Sequence, residues 1–179
     1  ETDVLKPSNP YSAAKACSDM LIHAWARTYG VEYLIVRPTN NYGKNQHPEK
    51  LIPLIIKNLM RGKKIRLHNE GTPIRNWLHA EDTSNAVLTL IKSSAKNGIY
   101  NIAGGFEQTN SETARKVIKA FYGTDDDWER YIDYSYKRVG QDVRYALNDD
   151  IRKLGWSPKK VFDDEIKSIV DHYKEDFRW

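Results

Sequence analysis

The sequence predicts an α/β fold, and three observations carry the prediction. Helical patterns alternate with short apolar runs along most of the 179 residues, the runs are rich in β-branched residues, and glycines such as Gly30 and Gly62 close the helices that separate them. Pro10 opens a helix over Ser12–Tyr29, with Ala13, Ala16, Met20, Ala24 and Ala26 as helix formers. Val31–Pro38 reads as a parallel strand following a crossover helix. Residues 39–50 hold Asn, Gly and Pro without periodicity, so they read as a loop beyond the strand's carboxyl end, where ligands gather in open α/β sheets. Leu51–Leu59 is expected to be helical, and Lys64–Leu78 to form two short strands around an Asn69–Pro73 turn. A helix over Asp82–Ile91, a strand over Ile99–Ala103 and a turn at Gly104–Gly105 follow, then a helix over Ser111–Phe121 capped near Asn110. After Asp125–Asp127 the stretch 131–147 reads as extended or irregular, and Asp163–Tyr173 as a terminal amphipathic helix.

Composition narrows the function classes. With 40% hydrophobic and 29% charged residues, 20 aromatics and a net charge of +4, the chain is expected to fold rather than stay disordered. The longest conspicuous apolar run, Leu51–Ile56, contains a proline and falls far short of the roughly 20 residues a membrane span needs. A single Cys17 permits no internal disulfide and no secretory leader pattern is present, so a cytoplasmic protein without a membrane partner is expected. Acids intersperse the basic residues, and the densest basic cluster is Arg61, Lys63, Lys64 and Arg66, so no nucleic-acid partner is expected. Histidines at 23, 47, 68, 79 and 172 show no ligand pair at two- to five-residue spacing, and no metal is assigned.

Tyr11 and Lys15 form Y-x-x-x-K, which places both side chains on one face of the first helix. A phenol is a poor base until its ordinary pKa of about 10 is lowered, and a nearby ammonium favours the phenolate. Eleven tyrosines and seventeen lysines produce about one such spacing by chance, so the pair needs its context. That context is P-Y-S-A-A-K-A-C-S-D at 10–19, Y-G-V-E-Y-L-I-V-R-P-T-N-N-Y-G at 29–43, H-P-E-K-L-I-P at 47–53, G-T-P-I-R-N-W-L-H-A-E-D at 71–82, Y-N-I-A-G-G at 100–105 and R-V-G-Q-D-V-R-Y-A at 138–146. From Asn9 to Tyr173 the chain resembles the carboxy-terminal portion of the nucleotide-sugar 4,6-dehydratases of the extended short-chain dehydrogenase/reductase superfamily.

The resemblance implies the end of a Rossmann-type sheet plus a smaller α/β substrate domain. Residues 1–38 would be the tail of the dinucleotide-binding domain and 39–179 mainly the nucleotide-sugar domain. It implies an NAD cofactor and a nucleoside-diphosphate glucose substrate, dTDP-glucose first. NAD takes hydride from sugar C4, water leaves across C5 and C6, and the hydride returns to C6; the C4 ketone acidifies the C5 proton and makes the elimination accessible. Tyr11 would take the C4 hydroxyl proton and Lys15 would hold the nicotinamide ribose. By the same resemblance Asn40 meets the substrate and Asn41 the nicotinamide side, Lys50 and Leu51 lie against the nucleotide sugar, Arg66, Leu67 and His68 wall the base, Asn110 contacts the nucleotide, and Arg75 and Arg138, with Gln141 beside the latter, clamp the diphosphate. A homodimer is implied for the full-length protein.

Two parts of the family pattern are missing from these residues: a Gly-rich dinucleotide fingerprint, and the Thr-Asp-Glu triplet that serves the elimination. The expectation is therefore a fragment of a longer enzyme that alone neither holds NAD tightly nor turns over sugar. The family's R-P-G-H-D-R-R-Y stands here as R-V-G-Q-D-V-R-Y and its I-R-D-W as I-R-N-W, which widens the range of nucleotide bases to UDP and others. Alternatives are a UDP-sugar epimerase or decarboxylase using the same Tyr and Lys, and a non-catalytic nucleotide-sugar-binding module; a basic nucleic-acid binder ranks last.

Overall fold

A computed structural model of the chain describes residues 4–144 and 150–177. Helix α1, Pro10–Tyr29, begins where the Asn9 side chain accepts from the Ser12 N–H and Pro10 supplies a preset φ; it ends at Gly30, whose φ of 67° lets its N–H reach the Ala26 carbonyl. Strand β1 follows at Leu34–Pro38 and pairs in parallel with β5, Gly98–Ile102, with Ile35 opposite Ile99. The units expected at 1–38 and 39–179 thus share a sheet.

Residues 39–50 are not all loop. Asn40–Tyr42 form β2, parallel to β4, Ile74–His79. Asn40 and Asn41 have little strand propensity, and the pairing with β4 decides the conformation. β4 pairs on its other edge, antiparallel, with β6, Phe106–Thr109, a strand that the sequence pattern does not announce. Between β5 and β6 the chain turns at Gly104–Gly105, as expected: a Cβ on Gly104 would lie 1.7 Å from the Trp77 carbonyl oxygen, and the Gly104 N–H bonds Asn76 Oδ1 at 2.9 Å. A two-residue strand, β3 (Ile65–Arg66), pairs in parallel with β7 (Ile132–Asp133) inside the stretch expected to be extended or irregular. Residues 145–147 of that stretch lie outside the described residues.

The remaining α-helices among the described residues are α2 (Leu51–Met60), α3 (Ala80–Lys92), α4 (Asn110–Tyr122) and α5 (Phe162–Glu175). The cap of α4 is Thr109 rather than Asn110: the Thr109 hydroxyl accepts from the Glu112 N–H while the Glu112 carboxylate accepts from the Thr109 N–H, so the two groups satisfy each other and Asn110 becomes the first helical residue. Two cores result. Ile52, Ile55, Ile56, Leu59, Val117, Ile118, Ile166 and Ile169 pack α2, α4 and α5 against Tyr42 and Trp77, while Leu78, Ala86, Leu90 and Ile102 form a second core with Ile151 and Trp156. Consecutive residues of β4, Trp77 and Leu78, serve opposite cores because strand side chains alternate faces. Asp82 of α3 is buried at 2% exposure, and its Oδ2 accepts the N–H groups of Lys159 and Lys160, pinning the approach to α5.

Candidate active site

Tyr11 and Lys15, one turn apart on α1, line a cavity of about 860 Å³ together with Ser12, Asp19, Leu34, Val36, Arg37, Pro38 and Asp142. Neither polar head has a hydrogen-bond or ion-pair partner among the described residues, and the Tyr11 side chain is exposed. Arg37 of β1 spans the cavity to Asp19 of α1, with Nε and Nη2 donating to Asp19 Oδ2 at 2.8 and 2.5 Å. That charge-assisted pair holds the helix over the strand. A phenolic hydroxyl and a free ammonium facing open space fit a cofactor's ribose hydroxyls and a sugar hydroxyl; the ammonium offers three donors and the phenol both donates and accepts.

Several of the residues expected on the nucleotide side converge on one turn. Residues 68–71 form a tight turn after β3, in which Asn69 (φ 51°, ψ 46°) and Glu70 (φ 56°, ψ 17°) are left-handed. The Arg66 guanidinium stacks 4.5 Å from the Tyr136 ring centroid, and the His68 ring meets the same tyrosine edge-on at 6.1 Å. Asn69 binds the backbone of Arg138 and the side chain of Gln141. Asp133 beside them is held below the ordinary carboxylate range, chiefly by the Ser135 hydroxyl and N–H and also by the Arg66 charge. Asn110 joins through its N–H on the Pro73 carbonyl, and Ser111 Oγ donates to the Glu70 carbonyl at 3.2 Å. Arg66, His68, Arg138, Gln141 and Asn110 are thereby neighbours of a single turn.

The other expected residues stand apart or are engaged differently. Leu67 is buried at 1% exposure and its side chain packs in the core; Leu51 likewise packs against that core. Arg75 is half-buried on β4, opposite Gln108, and its Nη1 donates to the Ile74 carbonyl at 2.6 Å. Asn40 is half-buried opposite Trp77. The Asn41 amide is used at both ends, donating to the Thr39 carbonyl and accepting from Thr83 Oγ1 at 2.6 Å, which ties β2 to α3. Lys50 stands just before α2 without a side-chain cap bond, its ammonium 3.6 Å from Glu49 on the surface.

Sequence reasoning missed Tyr136, Asn69, Ser8 and Asp142. Ser8 and Asp142 meet at 3.3 Å and link residues 138–144 to the start of α1. Asn69 carried a signal, since Asn before Glu-Gly suits left-handed backbone, but that signal reports a turn and not what the amide holds.

Residues 1–103 match the model of the NAD dependent epimerase/dehydratase family. The chain is 38% identical over 184 residues to the dTDP-glucose 4,6-dehydratase of Escherichia coli and 39% over 181 residues to that of Streptomyces niveus, in each case over 100% of this chain but 51% and 53% of the relative. It spans about half the length of the curated relatives it matches. The crystal structure of dTDP-glucose 4,6-dehydratase from Bacillus anthracis in complex with NAD superposes with a TM-score of 0.88 at 35% identity, over 100% of this chain and 56% of that one. With a family model covering more than half of its residues, and with the Tyr and Lys of its first helix facing one cavity, the chain belongs to the NAD dependent epimerase/dehydratase family.

Proposed function

We propose that this chain supplies the sugar-oxidising and nucleotide-gripping residues of an NAD-dependent nucleotide-sugar 4,6-dehydratase acting on dTDP-glucose. The observation that carries the reading is the pair Tyr11 and Lys15, which line one cavity of about 860 Å³ with their polar heads unengaged by described residues. NAD, when bound, supplies the hydride acceptor and later the hydride donor. Tyr11 takes the proton of the C4 hydroxyl at its phenolic oxygen. The Lys15 ammonium donates to ribose hydroxyls, and the Tyr11 oxygen acts as phenolate, becoming the neutral phenol as the proton arrives. Arg75 and Arg138, with Gln141 beside the latter, grip the diphosphate, Asn40 and Lys50 contact the sugar side, and Arg66, His68 and Asn110 serve the nucleoside. Asn41 shapes the nicotinamide side through its bond to Thr83. The exposed Met20, Leu21, Trp25 and Tyr29 support α1 as the contact helix of a homodimer.

The test is product analysis with the protein that carries this chain. Given dTDP-glucose and NAD, it yields a 4-keto sugar nucleotide lighter by one water, and Tyr11→Phe lowers the rate by about 10²–10⁴-fold, the usual worth of a general base, while dTDP binding persists. Conversion to a C4 epimer of unchanged mass overturns the dehydratase reading.

A further inference from the structure

Residues 136–144 form a strap that crosses from the nucleoside-side turn to the start of α1, and burial does not hold it in place: Val139 is 97% exposed and Val143 68%. Polar contacts hold it instead. On one side Asn69 Oδ1 accepts the Arg138 N–H at 3.0 Å, while Asn69 Nδ2 donates to the Arg138 carbonyl at 3.1 Å and to Gln141 Oε1 at 3.1 Å. The Asn69 N–H adds a bond to the Tyr136 carbonyl at 2.9 Å. On the other side the Gly140 carbonyl accepts from Asn9 Nδ2 at 3.2 Å, and the same Asn9 amide caps α1 through the Ser12 N–H at 2.9 Å. Gly140 (φ 73°) has no room to spare, since a Cβ there would come within 3.1 Å of the Ser8 carbonyl oxygen.

One amide that accepts from the N–H and donates to the C=O of a single residue fixes both of that residue's peptide groups. An aspartate in its place lacks the donor, and an alanine lacks both. The amide reaches this position because Asn69 is left-handed, in a run with Glu70 and Gly71 of positive φ, and sparsely populated backbone of this kind persists where the surroundings over-determine it. We propose that Asn69 is a positioning residue: it presets the strap so that Arg138 is held ready for the substrate diphosphate, lowering the ordering cost of binding. The inference rests on the reading of Arg138 as a diphosphate ligand.

Calorimetric titration of dTDP and of thymidine into the protein tests it. Asn69→Gly keeps the left-handed backbone accessible and removes only the amide. It is expected to weaken dTDP about tenfold, the worth of one or two net hydrogen bonds, to leave thymidine unchanged, and to have no further effect when Arg138→Ala is already present. Hydrogen exchange of the Arg138 N–H accelerates in Asn69→Gly, while protection of the Ile56 and Ile169 amides shows the variant folded. An unchanged dTDP affinity, an equal loss for thymidine, or the same loss in the Arg138→Ala background overturns the proposal. If Arg138→Ala itself leaves dTDP affinity unchanged, the diphosphate reading falls and the proposal falls with it.

Discussion

Helices α1 and α5 are made by opposite means. α1 is 20 residues long and has no buried residue, whereas the 14 residues of α5 bury Phe162, Ile166, Ile169, Val170 and Tyr173. α1 is specified locally, by its Asn9 cap, Pro10 and the left-handed Gly30; α5 has no side-chain cap and is held by the side chains it packs against α2 and α4. The two regions divide the work. Packing free energy concentrates in the α2, α4 and α5 layer, and the groups assigned to chemistry sit on a helix that contributes little burial.

The sharpest way to break that contrast is a pair of truncations. Ile169→Ala, at a position 1% exposed, should cost about 2–5 kcal/mol in urea unfolding, because it removes core contacts and leaves a cavity. Trp25→Ala, at a position 58% exposed on α1, should stay within about 0.5 kcal/mol despite the larger side chain removed. A Trp25 effect as large as that of Ile169 would mean that α1 is packed after all.

A second variant probes the joint between the two cores. Asp82→Ala removes the buried acceptor of the Lys159 and Lys160 N–H groups and should cost about 1–3 kcal/mol, whereas Asp82→Asn, which keeps an acceptor, should recover part of the loss. Equal losses for both substitutions would place the cost in the negative charge rather than in the backbone bonds.

The smallest effect at neutral pH belongs to Tyr42, 2% exposed, whose hydroxyl has no hydrogen-bond partner among the described residues. Tyr42→Phe should change stability by less than about 1 kcal/mol at pH 7, since no bond is lost. Burial first, then the charges of Glu165, Asp82, Asp163 and Asp164, raise the Tyr42 pKa in the folded protein. The folded state therefore resists ionisation that the unfolded chain allows. Stability linked to this group is complete below about pH 10, the ordinary phenol value, and drains away as pH rises above it. Denaturant midpoints measured across that range should fall less steeply for Tyr42→Phe than for the parent; parallel curves would show that Tyr42 is not the titrating group.

Legibility followed the distance over which each feature is specified. The ends of α1 were readable because cap, proline and terminal glycine lie within a turn of the residues they act on, and Tyr11 and Lys15 were readable as one face because four residues make about one helical turn. β2 and β6 were not, because Asn40–Tyr42 and Phe106–Thr109 become strands only by flanking β4. Leu67 matched the base-wall pattern by position, yet the β3–β7 pairing and the core around it turned its side chain inward. The Asn69 amide escaped notice for the same reason, since its partner Arg138 is 69 residues away in the chain.

The α/β class and the helix-borne Tyr11 and Lys15 follow from order along the chain, because periodicity, capping and spacing act over a few residues, and the resemblance of the longer motifs pointed to a family that uses NAD. Tertiary structure alone decided which side chains those groups face: the cavity between α1 and β1, the hold of Asn69 on Arg138, and the burial that withdraws Leu67 each require contacts between distant segments, whose closure no local pattern encodes.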